Sequence, residues 1–224
     1  MKKRRKLLEL RPTQFAVGML EVDEKIATLS TYSKKKLKDF VDSTPVPAVL
    51  SPQGELCVVD HHHFLVVCYH LGIKKVRVEV VEDLSEMKMS YQQFWKWMSE
   101  KRNMYPFCQF GEGPRSALYL PRDIRGLADD PYRSLAWYVR KAGAFENSDR
   151  NFAEFQWANF FRKKGLLDER GLLGMPEALL EAVRLAQTPE AKHLPGFELL
   201  NLEQKIRMKA KARKKAKAIP KIAR

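Results

Sequence analysis

The sequence predicts an α+β fold, a small mixed sheet-and-helix domain followed by a mostly helical C-terminal half. Three observations predict it. Residues 46–85 pass from hairpin to helix to strand patterns, residues 90–187 hold one capped helical pattern after another, and no segment recurs at the fixed period of a solenoid. At 45% hydrophobic residues, the 224-residue chain can bury a core of one domain, or of two small ones.

Residues 7–22, LLELRPTQFAVGMLEV, read as a short strand followed by an extended turn. In 23–42, Ile26, Leu29, Leu37, Phe40 and Val41 sit at mixed helical spacings around a polar middle, predicting one broken helix or two short ones. TPVPAVLSPQGELCVVD reads as a hairpin with SPQG as its turn, and the second arm stops at Asp60. HHHFLVVCYHLG is a short apolar segment closed by Gly72, so a buried helix is expected over about 61–71. KKVRVEVVEDL then alternates with the period of a strand, placing Val76, Val78 and Val80 on one face.

Beyond this unit the patterns are helical. Ser90 caps YQQFWKWMSEKRN, and Asp130-Pro131 opens PYRSLAWYVRKAG with Arg140 and Lys141 in the last turn. Ser148 or Asp149 is expected to open RNFAEFQWANFFRKKG, and Pro176 opens EALLEAVRLAQ. Phe94, Trp95 and Trp97, with Phe152, Phe155, Trp157, Phe160 and Phe161, recur at helical spacing and read as core. Residues 106–126, rich in Gly and Pro, read as a linker or an active-site loop. The boundary is drawn between 85 and 90, giving a domain at 7–88 and a helical region at 89–204.

Charge separates the ends from the body. Residues 2–6, KKRRK, carry +5; residues 205–224 hold ten Lys or Arg and no acid; 7–204 then has 26 basic and 27 acidic residues, net −1. Residues 1–6 therefore read as a basic N-terminal segment and 205–224 as a basic disordered tail, without which the body still folds. Such a tail attracts nucleic acid with a steep salt dependence, or only solubilises. No helix-turn-helix pattern accompanies it. No apolar run approaches the roughly 20 residues of a membrane span, and no signal core follows KKRRK, so no membrane partner and a cytoplasmic protein are expected. Cys57, Cys68 and Cys108 are scattered and lack CxxC spacing, which predicts buried, reduced thiols.

The sharpest local feature is Asp60-His61-His62-His63 at the strand-to-helix junction. The first N–H groups of a helix lack internal partners and carry the positive end of its dipole, so the junction suits an anion. Imidazoles beside it can donate to phosphate oxygens or move protons near neutral pH, and helix-start positions are expected to be exposed. The blander alternative is that Asp60 caps the helix while one His faces the core. Adjacent histidines point about 100° apart on a helix, so all three cannot hold one ion. A DHH-phosphoesterase manganese site would need an upstream Asp-x-Asp, which is absent before residue 60.

With these boxes the sequence resembles the ParB/sulfiredoxin superfamily, most closely its ParB-like nuclease branch. The resemblance is carried by Pro12-Thr13-Gln14, Val17-Gly18, Glu21-Val22, Lys25 and Asp60-His61-His62-His63, then DDPYRSLAWYVR at 129–140, FAEFQWANFFR at 152–162 and HLPGF at 193–197. It implies a ParB/sulfiredoxin-like domain with a nucleotide phosphate site at the junction. Partition proteins carry a G-E-R-R box there for CTP, sulfiredoxins a G-C-H-R box with an attacking cysteine, and free-serine kinases a D-G-x-H-R type box with an N-terminal glutamate as base. This chain keeps Asp60 and His63, has Phe64 where the arginine stands, and has no cysteine in the box, which argues against sulfiredoxin chemistry.

What the resemblance implies for the site is Glu21, Asp60, His62 and His63 as catalytic groups, with phosphate contacts from His61, His62, His63, Lys25 and Arg133. Arg122, Arg125 or Arg133 would replace the missing arginine, and Gln14 and Asp129 stand in a second tier. Glu21 read alone is equally a solvated surface carboxylate, and Asp130-Pro131 equally a plain helix start. The expected function is binding of a nucleotide (ADP, ATP or CTP) or another phosphate compound, with Mg²⁺- or Mn²⁺-dependent phosphoryl transfer or hydrolysis. A DNA-binding nuclease and a non-catalytic nucleotide-gated scaffold are the alternatives.

Overall fold

The computed structural model describes residues 2–168 and 171–219. Its contacts divide into two units, Met1–Val17 with Val22–Asp129, and Gly18–Glu21 with Asp130–Arg224. The structure is of the α+β class, with the strands in the first unit and helices dominating the second.

A five-stranded mixed sheet forms the first unit: β1 (Lys2–Lys6), β2 (Leu10–Pro12), β4 (Val46–Leu50), β5 (Leu56–Val58) and β6 (Lys75–Asp83), ordered β1-β6-β4-β5-β2. β4 and β5 are the predicted antiparallel hairpin, with Val49 opposite Cys57. β6 runs parallel to β4 and buries Val76 and Val78, as its alternation requires, while Val80 is half-buried. β2 lies parallel to β5. A separate parallel pair joins β3 (Ala16–Val17) to β7 (Ala128–Asp129).

The expectation for residues 1–6 is corrected, because β1 is an edge strand antiparallel to β6, Lys2 facing Glu79 and Lys6 facing Lys75. Lys3 to Lys6 point to solvent, where cations on an edge oppose pairing with another chain, and Arg4 also reaches Asp42. Charge composition hid the strand, because what holds it is the backbone ladder of β6.

α1 (Met19–Leu29) begins in the second unit and continues into the first, and α2 (Lys34–Ser43) follows with Ser33 as its cap. The two short helices expected over 23–42 are present, with α1 starting earlier, inside the predicted turn. α3 (His62–His70) is buried along nearly its whole length, as its unbroken apolar run predicts. α4 (Tyr91–Glu100) opens on a Ser90–Gln93 capping box. Its Phe94, Trp95 and Met98 pack with Phe15, Val49, Cys57 and Leu120, so the boundary expected near residue 88 moves to Asp129/Asp130. The 106–126 stretch is not a linker, since Cys108, Ala117, Leu120 and Ile124 are buried in the first unit.

The second unit packs α5 (Pro131–Ala142), α6 (Ala153–Lys163), α7 (Met175–Leu185) and α8 (Leu202–Ala218) around one apolar core. α5 starts on Asp130 and ends on Gly143 in the left-handed region, as predicted. α6 starts after Phe152, itself left-handed, and not on Ser148 or Asp149. Ser148 instead accepts from the Arg150 N–H in the preceding turn. Trp157 stacks on Phe145 at 4.2 Å and donates to the Pro195 carbonyl at 2.8 Å. A Cβ at Gly196 would lie 2.1 Å from the Glu146 carbonyl oxygen, so HLPGF needs glycine there.

The disordered tail is likewise corrected. Residues 202–218 form α8, opened by an Asn201–Gln204 capping box, with Met208, Ala212, Ala216 and Ile219 buried in the second unit's core. Ala, Lys and Arg are strong helix formers, and a four-residue apolar repeat suffices to dock the helix. Residues 220–224 of the expected tail lie outside the described residues. Among the described residues no helix is long and apolar enough to cross a membrane.

Candidate functional site

The chain leaves β5 through Val59 and Asp60, turns at His61 and enters α3. His61 holds φ 68° and ψ 22°, the left-handed region that costs an L-residue about 1–2 kcal/mol. Its N–H donates to Asp60 Oδ1 at 2.6 Å and its carbonyl accepts the Leu65 N–H at 2.9 Å. His61, the N-cap residue of α3, makes no side-chain cap bond. Asp60 therefore turns back on the adjacent peptide instead of serving as the cap, and its side chain is 72% exposed.

The three histidines divide by environment. His62 is buried, and its Nε2 accepts the Thr13 N–H at 3.1 Å, so its ring proton sits on Nδ1. Burial, and secondarily His61, push its pKa down to about 3, so it stays neutral near pH 7. His63 is also buried, which corrects the expectation of exposed helix-start residues. His61 is the partly exposed one; its Nδ1 is buried without a hydrogen-bond partner and its Nε2 lies 4.0 Å from Asp60 Oδ2. Phe64 lies edge-on to His61 and to Phe40, both at 6.1 Å, in an apolar environment that would bury an arginine there.

The N-terminal motif meets the box through Thr13, a residue to which sequence reasoning gave no role. Thr13 donates its N–H to His62 and its hydroxyl to the Val58 carbonyl at 2.6 Å, fixing β2 and β5 at the junction. Gln14 is buried and donates to the Ala16 carbonyl at 2.6 Å. Asp129 pairs with Val17 in the β3–β7 ladder, and Lys25 is half-buried on α1. Arg125 closes a fork on Asp123 at 2.8–2.9 Å. Arg122, exposed on the same turn, lines a shallow 390 Å³ depression with Pro121 and Asp123.

Glu21 and Arg133 belong to the second unit and answer each other there. Arg133 is buried, donates from Nη1 to Glu21 Oε2 at 3.0 Å and from Nη2 to Glu154, and lies 5.6 Å from the Phe155 ring centre. Burial opposes its charge, but Glu154, Glu21 and Asp130 outweigh that and raise its pKa. Arg140 Nε completes the group at 2.6 Å from Glu154 Oε1. Asp130 accepts the N–H groups of Tyr132 and Arg133 and two bonds at 2.7 Å from Arg162; burial still leaves its pKa raised. A Cβ at Gly18 would lie 2.7 Å from Ser134, so Gly18 and Ser134 meet by close backbone approach. Spacing along the chain gave no signal for Glu154, Arg140 or Arg162 as partners.

Cys57, Cys68 and Cys108 are free and buried, as expected, and burial pushes the Cys57 and Cys68 thiols up to about 12. Among the described residues no three His, Cys, Asp or Glu side chains converge on a metal position.

The family model described as "Putative ParB-like nuclease" matches residues 4–163. The crystal structure of protein Atu1540 from Agrobacterium tumefaciens is similar, with 34% identity and a TM-score of 0.79 over 90% of this chain and 98% of that one. Among curated proteins nothing matches.

Proposed function

This chain belongs to the ParB-like nuclease family, and from that premise we propose that it binds the phosphate of a nucleotide or phosphodiester at the start of α3 and transfers or hydrolyses it. The observation that carries the reading is the uncapped start of α3, preceded by a left-handed His61 whose Nδ1 has no partner. The positive end of the helix dipole favours an anion there. His61 would donate to a phosphate oxygen, and the exposed Asp60 carboxylate would orient the attacking hydroxyl or water. His62 serves as a fixed acceptor for Thr13, and Glu21 and Arg133 as a buried ion pair, so none of these three is assigned proton transfer.

A resident Mg²⁺ or Mn²⁺ does not fit the described residues, since Asp60 stands alone as the exposed carboxylate of the junction. Such an ion would enter already bound to the ligand's phosphates, in the manner usual for Mg²⁺.

The test is thermal denaturation of the full chain with ADP, ATP, CTP, GTP and a short DNA, each with and without Mg²⁺, followed by product analysis for any ligand that binds. A ligand at a hundredfold excess over its Kd adds about 2.7 kcal/mol of stability. A shift abolished by Asp60→Ala, with turnover, supports the enzyme reading. A shift without turnover supports the scaffold, and no shift with any phosphate compound refutes the site.

A further inference from the structure

The function proposed for α3 makes no use of α8, whose exposed face is strongly basic. It carries Lys205, Arg207, Lys209, Lys211, Arg213, Lys214, Lys215 and Lys217, with Glu203 as its sole carboxylate, engaged by Arg207. Beside it α5 contributes Lys141, and the two helices enclose a groove of about 240 Å³. Tyr138, Ala142 and Ala218 line it together with Lys141, Lys211, Lys214 and Lys215, and no acidic side chain does. Lys215 lies 6.0 Å and 5.4 Å from the Trp137 and Tyr138 ring centres, and Lys141 lies 5.4 Å from that of Trp137. The aromatic rings thus hold two of the ammonium groups from opposite sides of the groove.

We propose that the α5–α8 groove is a docking surface for the phosphodiester backbone of duplex nucleic acid. Charge complementarity and length carry the assignment. Seventeen residues of helix extend about 25 Å, and duplex DNA presents a charge every ~1.7 Å of its axis. A single small anion would meet only the four groove lysines and leave the rest of the cationic helix unanswered. A membrane surface fits less well, because the apolar stripe Met208, Ala212, Ala216 and Ile219 that could enter lipid is spent on the protein core. The groove presents lysine ammonium groups, which meet phosphates as point charges, so the contact is with backbone and indifferent to sequence.

The assay is fluorescence anisotropy of a labelled 20-base-pair duplex against the full chain over a salt series, with anionic phosphatidylserine vesicles as a second arm. Lys211→Glu with Lys214→Glu alters two exposed groove cations; Lys34→Glu with Lys35→Glu makes the same charge change on exposed positions of α2. The groove variant should lose at least tenfold in affinity and about 1.8 in the slope of log affinity against log salt. The α2 variant should lose much less. Circular dichroism establishes that each variant is folded, and Lys211→Gln with Lys214→Gln replaces the reversal if it is not. Equal losses in the two variants would reduce the effect to net charge and overturn the proposal. Unchanged affinity in the groove variant would also overturn it, as would binding to vesicles but not to duplex. Loss of duplex binding with the phosphate-induced thermal shift intact would separate this surface from the α3 site.

Discussion

Replacing His61 by glycine separates backbone from side chain at the junction. The left-handed conformation costs an L-residue about 1–2 kcal/mol, and glycine escapes that at an entropic cost of roughly 0.5–1 kcal/mol. His61→Gly should therefore lie between no change and a gain of about 1.5 kcal/mol, which for a chain of this size raises Tm by up to roughly 6 °C. His61→Ala keeps the backbone strain and loses the imidazole, so it should be about 1 kcal/mol less stable than the glycine variant. The same two proteins are then titrated with the phosphate compound that stabilises the wild type. If the imidazole donates to phosphate, both lose most of the shift despite their different stabilities. A glycine variant with a full ligand response would remove His61 from the site. Equal melting of the two variants would show that the position is not held left-handed.

Three further outcomes follow from the packing. His62, pushed down to about 3 when folded, binds its proton only in the unfolded chain between there and its ordinary 6.5, so stability is complete above that window and is lost as pH falls through it. The limiting slope is about 1.4 kcal/mol per pH unit, and His62→Gln should flatten denaturant-derived stability between pH 5 and 6.5; an unchanged slope would mean that the imidazole is not buried neutral. Met208→Ala should cost about 2–4 kcal/mol in urea unfolding, and truncation after residue 201 more, whereas a dispensable tail would cost nothing. Arg133→Met removes the buried guanidinium between Glu21 and Glu154, with Arg140 still on Glu154, and should cost about 3–5 kcal/mol, partly recovered by adding Glu21→Gln; a neutral single variant would show that the pair is not buried.

Local signals found the elements they encode. Ser90 and Asp130-Pro131 open helices and Gly143 closes one where capping chemistry says they should, and the alternation of β6 and the apolar run of α3 place strand and helix correctly. The errors lie where a tertiary partner decides. KKRRK becomes a strand only because β6 offers an edge, and α6 begins on a left-handed Phe152 that no capping rule names. The tail differs from its charge count for another reason, since counting charges hides the Met208, Ala212, Ala216, Ile219 repeat written between them.

The candidate site divides along the same line. Thr13-Gln14, Val17-Gly18, Glu21 and the DPYR segment invite a chemical reading because they are polar residues clustered in sequence. In three dimensions each finds a protein partner: Thr13 on His62, Gly18 against Ser134, Glu21 on Arg133, Asp130 on Arg162. A buried carboxylate that already answers a guanidinium needs a change of partner before it can take a proton from substrate. Asp60 and His61 engage each other, the His61 N–H on Asp60 Oδ1, while the carboxylate stays exposed and the imidazole keeps an unpartnered nitrogen in a strained turn. Strain at an L-residue persists only where the surroundings enforce it, and here the enforcement is the Thr13–His62 bond on one side and the Asp60 turn on the other. Within the first unit, Thr13 would then act as part of the frame that holds Asp60 and His61 at the start of α3.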